Sequence, residues 1–306
     1  LYCANIMSMY AEKYANAPQS ISRLFENDIV SNKCIKAITN YLIFSVVVLF
    51  LQIIQIDIGI IMLIVLGVKA LKIIVSFAFM SRRTYQFSDM YYVTNAVYKE
   101  IYRNLLHLNK GKMFTHDNNF QNHYKKQVKK YVGILAEINN YNLEKEEKIS
   151  ASVESFMKHN VALIYTYWQE KSKISYDSYW YDDKVVYKKW YSASDTEIEM
   201  ALKTGTLLGY NTEKNYLWLE EDIEQINDNG LQYLINQKSF AGLIRWLGTL
   251  ENLSESAVES GNVVYYVDYL YKIQKKLQNT IGKEKFSLEE EMALAEHIVV
   301  SYLGVL

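Results

Sequence analysis

The chain reads as a mainly α protein: a transmembrane helical hairpin followed by a helical cytoplasmic domain. That domain carries one aromatic segment, read as a short β-hairpin or an ordered loop. Three observations lead there. Ala37–Ile56 holds no charged residue in 20 positions, and Ile58–Met80 is apolar over 23 positions apart from Lys69 and Lys72. About 20 predominantly apolar residues suffice to cross the hydrocarbon core as a helix. The rest of the chain has one proline, Pro18, and long Lys/Glu/Leu-rich stretches with helical periodicity. Residues 173–193 stand apart, because strand-favouring aromatics crowd around Asp182-Asp183.

Residues 1–34 form a juxtamembrane segment. Its opening apolar residues suit the end of an earlier membrane helix, so the chain is expected to lack upstream residues. No signal-peptide pattern is visible at its start. Pro18 interrupts this segment, Ser20 or Ser22 caps a short helix, and Ile21, Leu24 and Phe25 share one face. The hairpin occupies 35–83 and the helical domain 84–306.

Charge fixes the expected topology. Residues 1–83 hold eight Lys/Arg and four Asp/Glu, against a net charge of −1 for the whole chain. Lys33 and Lys36 precede the first apolar run, Arg82 and Arg83 close the second, and the turn at Asp57 has no basic residue. The positive-inside rule puts both outer ends in the cytoplasm and Asp57 across an inner membrane, with Tyr41, Phe77 and Phe79 near the cytoplasmic interface. The larger part of the chain has no basic excess, which argues against nucleic acid as a partner. Cys3 and Cys34 form neither a disulfide framework nor a zinc pattern and are expected to be reduced thiols.

Ala17-Pro18-Gln19-Ser20-Ile21-Ser22-Arg23-Leu24-Phe25-Glu26-Asn27-Asp28, followed by the hairpin and a helical exit, resembles an uncharacterised family of bacterial predicted membrane proteins. In that family two membrane helices lead to a Ser-Pro-Arg-Leu type helix, two more membrane helices and a cytoplasmic domain. The similarity covers roughly the first third of the chain, with a slightly longer spacing from proline to aspartate. It implies an upstream membrane pair and supplies no catalytic residue.

Beyond the hairpin, Val93, Val97, Ile101 and Leu105 recur at helical spacing, widened by Tyr92, Tyr98 and Leu106. Asn109–Lys112 ends that helix, 113–123 reads as turn, and 124–143 resumes with Tyr131, Ile134, Leu135 and Ile138. Asn139–Asn142 reads as a loop. The next helix, 143–171, carries Val153, Phe156, Val161, Ile164 and Trp168. Ser194 and Glu197 form a capping box for a helix that Gly205 ends, and Ser287 and Glu290 cap the last one, towards Tyr302. Between them helices are expected at 216–227, 230–252 and 255–281, with turns at Thr204–Thr206 and Asn227–Gly230.

Lys69 and Lys72 are the residues that most need an explanation. A charge at the bilayer centre costs about 3 kcal/mol on insertion scales. Lys72 lies about 15 Å from the level of Arg82, and Lys69 about 20 Å. Asp57 is 12 residues from Lys69 in sequence, near the opposite face. Compensation is therefore expected from another subunit, another segment, a lipid phosphate or water. Lys69, Lys72, Ser76 and Arg83 share a helical face and form a polar lane, which lines an anion-attracting pore or faces lipid. The bland alternative sets the membrane's inner edge at Lys69. Gln52, Gln55 and Ser45 give the first helix a polar face for helix contacts, and Gly59 and Gly67 suit close approach.

Tyr179, Trp180, Tyr181, Trp190 and Tyr191 are candidates for a partner-binding patch, or else a local core. Lysines and aspartates alternate beside them, so their charge is offset. The histidines, His107, His116, His123, His159 and His297, match no metal spacing, and no metal or cofactor is expected. No GxGxxG, P-loop, HExxH, GxSxG or CxxC occurs, which lowers an enzymatic reading. The leading expectation is a homo-oligomeric membrane channel, passing an ion or small anion and gated by its cytoplasmic domain. The alternatives are a membrane-anchored scaffold or sensor, and a helical pore-forming toxin with a hidden hairpin.

Overall fold

The computed structural model describes residues 29–55, 59–87, 89–108, 117–144, 150–279 and 286–306. The Ala17–Asp28 motif, Cys3, Asp57, His116 and the side chain of Arg83 lie outside the described residues. The chain divides into two compact units, residues 1–97 and 98–306.

In the first unit α1 (Ile29–Ile53) packs along α2 (Ile60–Phe87). The seam is spaced by three and four residues: Cys34, Tyr41, Phe44, Val48 and Leu51 on α1, with Leu66, Ala70, Ile73, Phe77 and Met80 on α2, are buried or half-buried. This is the spacing that two helices use to interlock. The remaining faces carry Leu42, Val46, Leu49, Phe50, Ile61, Leu63, Leu71 and Ile74, all exposed. Both helices are long and apolar enough to cross a membrane, and they are covered by almost no protein. The spans begin and end within a few residues of the apolar runs seen in the sequence. Gly59 and Gly67 behave differently from expectation: a methyl group built on either meets open space, so neither brings the helices together.

α3 (Met90–Leu108) contains the division between the units. Its Val93, Val97, Tyr98, Ile101 and Leu105 are buried, whereas Leu106 is exposed and lies off the stripe. The second unit continues with α4 (Asn118–Glu144) and α5 (Ser150–Lys171). Then come β1 (Asp182–Tyr187), a 3-10 turn (Trp190–Ser192), α6 (Asp195–Thr204) and β2 (Tyr210–Asn215). Last come α7 (Trp218–Asn236), α8 (Phe240–Glu259), α9 (Val263–Gln278) and α10 (Leu288–Leu303). Among the described residues α5 is central. It packs on α4, α7 and α8, and α8 packs in turn on α9 and α10. Leu163, Ile164, Tyr167 and Trp168 of α5 are fully enclosed.

Both capping boxes are present. Ser194 Oγ accepts the Glu197 amide while Glu197 accepts the Ser194 amide at 2.9 Å, and Ser287 and Glu290 repeat the arrangement. Gly205 ends α6 in the left-handed region, at φ 65°, where an L side chain is strained.

Three expected breaks are helix instead. α4 starts at Asn118, because Asp117 Oδ1 accepts the amides of Asn119 (2.8 Å) and Phe120 and caps it. α4 also runs through Asn139–Asn142, where Asn139 turns inward and donates to the Ile226 carbonyl. Asn227–Gly230 lies inside α7. Asn227 is buried, accepting from Asn160 Nδ2 at 2.8 Å and donating to the Tyr269 hydroxyl at 3.4 Å. Gly230 lets α7 approach α5, since a methyl group there would sit 2.7 Å from Met157 Sδ. The real breaks fall at Gln237–Ser239, with Lys238 at φ 53°, and at Ser260–Asn262, with Gly261 at φ 71°.

The aromatic segment does form a strand, paired antiparallel outside its own stretch. β1 pairs with β2, running from Asp182↔Asn215 to Tyr187↔Tyr210 with α6 inserted between them. Asp182-Asp183 therefore begins the strand and makes no turn. Asp182 explains why: it is held by Lys125 (3.0 Å) and Lys129 of α4. Burial pushes its carboxyl up, but those two lysines outweigh burial and leave it below the usual range.

Candidate functional site

The described members of the polar lane of α2 differ in their surroundings. Lys69 Nζ sits 3.8 Å from the centre of the Phe44 ring, across the helix pair. A cation on an aromatic face recovers up to about 2 kcal/mol when desolvated, a large part of the insertion cost. The hairpin thus supplies a partner for Lys69, contrary to the expectation that compensation must come from outside it. Ser76 donates to the Lys72 carbonyl at 2.8 Å, so its hydroxyl is satisfied within its own helix. Lys72 is exposed, and among the described residues no carboxylate lies within ion-pair distance of it or of Lys69. Ser45 likewise donates to the Leu42 carbonyl, while Gln52 and Gln55 are exposed.

The five aromatic candidates separate into two groups. Trp180 and Tyr181 are interior, not surface. The Trp180 indole donates to the Tyr167 hydroxyl at 3.0 Å and packs 5.2 Å from the Trp218 ring. Tyr181 meets Tyr216 edge-on at 4.9 Å. The turn that delivers them is fastened to α4: Ser178 Oγ donates to Gln121 Oε1 at 2.8 Å, and the Tyr179 amide joins it at 3.3 Å. Both rings thus lie in the local core beneath α5. Tyr179, Trp190 and Tyr191 are exposed.

Sequence reading passed over a buried acid. Glu220, in the first turn of α7, is wholly enclosed, accepting from the Trp168 indole at 3.1 Å and from Lys171. Burial raises its pKa while Lys171 opposes the shift. One turn on, Glu224 is also buried and pairs with Lys272 at 2.9 Å. The signal available in sequence was the i, i+4 spacing on an otherwise apolar face.

Between α3 and α4 opens a polar groove of about 380 Å³. Glu100 and Arg103, paired at 2.5 Å, lie along it together with Tyr131. The Tyr124 ring is flanked by His107 (6.4 Å) and His123 (5.5 Å). His159 stacks on Tyr98 and bonds the Ser155 carbonyl, and His297 contacts Glu251. Among the described residues no three His, Cys, Asp or Glu side chains gather to hold a metal. A second cavity, about 220 Å³ and largely apolar, lies between α9 and α10, beside Leu277, Phe286 and Ile298.

No protein-family model, no curated protein and no solved structure matches the chain.

Proposed function

We propose that the chain is an integral membrane protein of the bacterial inner-membrane type, embedded through α1 and α2 with its helical domain in the cytoplasm. In this reading several copies assemble so that their α2 helices bring Lys72 to a shared polar path. That path passes small anions under control of the cytoplasmic domain. The observation that carries it is Lys72: an exposed cation on an apolar helix with no acid beside it among the described residues. The surrounding apolar surface supports embedding, because water would meet a whole hairpin of exposed Leu, Ile, Val and Phe. A ring of lysines at that depth favours anions over cations by Coulomb attraction.

The test is a planar bilayer or vesicle flux measurement on the reconstituted chain. Lys72→Glu is expected to reverse the sign of the reversal potential in a salt gradient. A conducting protein whose selectivity ignores that change takes Lys72 out of the path, and a protein that never conducts removes the channel.

A second reading, a membrane-anchored scaffold, is favoured by the Lys69–Phe44 contact. With one lysine satisfied inside the hairpin, the remaining lysine can snorkel towards a lipid phosphate and no pore is needed. A non-conducting monomer in detergent, by light scattering, supports this reading over the first.

A further inference from the structure

The lobe made by β1, the 3-10 turn, α6 and β2 has an unusual surface. Between residues 182 and 217 no side chain is buried. Yet Tyr187, Trp190, Tyr191, Met200, Leu202, Leu207 and Tyr210 are all more than half exposed. Among the described residues the ribbon is fastened at one end. Asp182 is pinned by Lys125 and Lys129, and β2 runs from Asn215 into the buried Trp218. Five residue steps away, roughly 17 Å at strand rise, lies the free end. There Tyr187 faces Tyr210 with ring centres 6.3 Å apart, and the Lys188 amide donates to the Gly209 carbonyl. Trp190 and Tyr191 follow immediately in the 3-10 turn, 5.9 Å apart, and Leu207 leads into Tyr210 from the other side.

Resting on the membrane-embedded reading above, we propose that this aromatic end is a second membrane contact. In it Tyr187, Trp190, Tyr191, Leu207 and Tyr210 seat in the phospholipid headgroup interface.

The chemistry selects lipid. Tyrosine and tryptophan have an apolar ring and a polar edge, which suits a boundary that is dry on one side and wet on the other. The charges of the lobe are mostly spent locally: Lys188 on Glu197 (2.7 Å), Lys214 on Asp183 (2.8 Å) and Lys203 on Glu199 (3.6 Å). Lys188, with Ser194, holds the Glu197 carboxyl down at about 2, so that pair stays charged at neutral pH. Lys189, beside the tip, lies 5.7 Å from the Tyr191 ring and has the long stem that reaches headgroups. Five lysines against six acids leave residues 182–215 at −1, with Asp195 and Glu213 outside these pairs. Attraction to anionic lipid is thus not the driving force. Ring partitioning is, and zwitterionic lipid should serve as well. In that reading the hairpin tethers the lobe to a bilayer through the chain itself, without any further partner.

The five tryptophans make this measurable. None lies in the hairpin, four are buried, and Trp190 is 74% exposed. The full chain is placed in nanodiscs of phosphatidylcholine, with and without lipid dibrominated near the headgroup, and its tryptophan emission is recorded with and without acrylamide. The expected result is quenching by the brominated lipid, little quenching by acrylamide, and loss of the lipid-quenched component in Trp190→Phe. The four buried tryptophans of that variant report that it remains folded. Replacing part of the lipid by phosphatidylglycerol should leave the quenching unchanged. Trp190 quenched by acrylamide and not by lipid overturns the proposal, because the tip is then in water. Trp190 shielded from both also overturns it, because protein then covers the tip. A chain that does not co-elute with nanodiscs refutes the embedded hairpin itself and this contact with it.

Discussion

Among the described residues Lys171 is the cation that reaches Glu220, and replacing it by methionine removes that charge while keeping most of its aliphatic stem. Glu220 is fully buried, and only 12% of the Lys171 side chain is exposed, so this is an interior pair. The carboxylate keeps the Trp168 indole as a side-chain donor, and its second oxygen makes no hydrogen bond among the described residues. Removing one partner of such a pair leaves an uncompensated buried charge, and the expected loss is about 3–5 kcal/mol. Removing the charge as well, in Lys171→Met with Glu220→Gln, should bring the protein back to within about 1 kcal/mol of the parent. Urea unfolding of the detergent-solubilised full chain, followed by tryptophan emission, measures both, since Trp168 sits on the carboxylate. The pH dependence has a definite sign. Burial already holds the Glu220 pKa above its usual range, and without Lys171 it rises further. Unfolded glutamate titrates at about 4.3. Above that pH the unfolded chain releases a proton that the folded variant keeps, and each pH unit then costs about 1.4 kcal/mol of stability. The deficit of Lys171→Met is therefore smallest near pH 4 and grows towards neutrality until the folded carboxyl ionises. A loss below 1 kcal/mol that does not vary with pH would refute the reasoning, because Glu220 would then be solvated.

Gly230→Ala separates helix propensity from packing. Alanine gains about 1 kcal/mol in a helix interior, but its methyl would press on the fully buried Met157, and overpacking costs about 1–3 kcal/mol. A net loss of about 1 kcal/mol is expected in the same urea assay, and a stabilised variant would mean that Met157 has room to turn aside. Asp182→Asn tests the anchor of the ribbon. Its carboxyl is held low, so its contribution is complete above an unfolded pKa of about 3.9 and is lost as pH falls through the folded value. Because the side chain is about a third exposed, the expected cost at pH 7 is about 1 kcal/mol, shrinking below pH 4. A cost unchanged down to pH 3 would assign it to packing and not to charge.

What could be read from the sequence was whatever is decided locally. The two long apolar helices follow from length and apolarity alone, and the boxes at Ser194 and Ser287 need only three neighbouring residues to close. The misread stretches fail for one shared reason. Asn139–Asn142 and Asn227–Gly230 have turn composition, but their asparagines find partners on other helices, and Gly230 is there to let α5 close in. Nothing within those few residues announces a partner on another helix. The same limit separates Trp180 from Trp190: they lie ten residues apart in similar company, and only the distant Gln121 and Tyr167 decide which one is interior. The Phe44 contact was within reach. Reflecting Lys69 through a turn at Asp57 lands on residue 45, beside Phe44, whereas Lys72 reflects onto Leu42, an apolar residue with nothing to offer a cation.

The buried polar residues of the helical domain fix how its helices sit against one another. The Tyr98 hydroxyl donates to Asn160 Oδ1 at 2.6 Å, Asn160 donates to Asn227, and Asn227 donates to Tyr269. One line of hydrogen bonds between buried side chains therefore joins α3, α5, α7 and α9. Apolar contacts between helices tolerate small slips in register, whereas a buried hydroxyl displaced from its acceptor loses the bond outright. Tyr98 is the first residue of the second unit, on the helix that the hairpin feeds into. Its hydroxyl also lies 3.2 Å from the Phe156 carbonyl, so Tyr98 is fastened to α5 at two acceptors. Breaking that line at Asn160 or Asn227 would leave buried polar groups without their partners on other helices, so these residues hold the register of the helical domain.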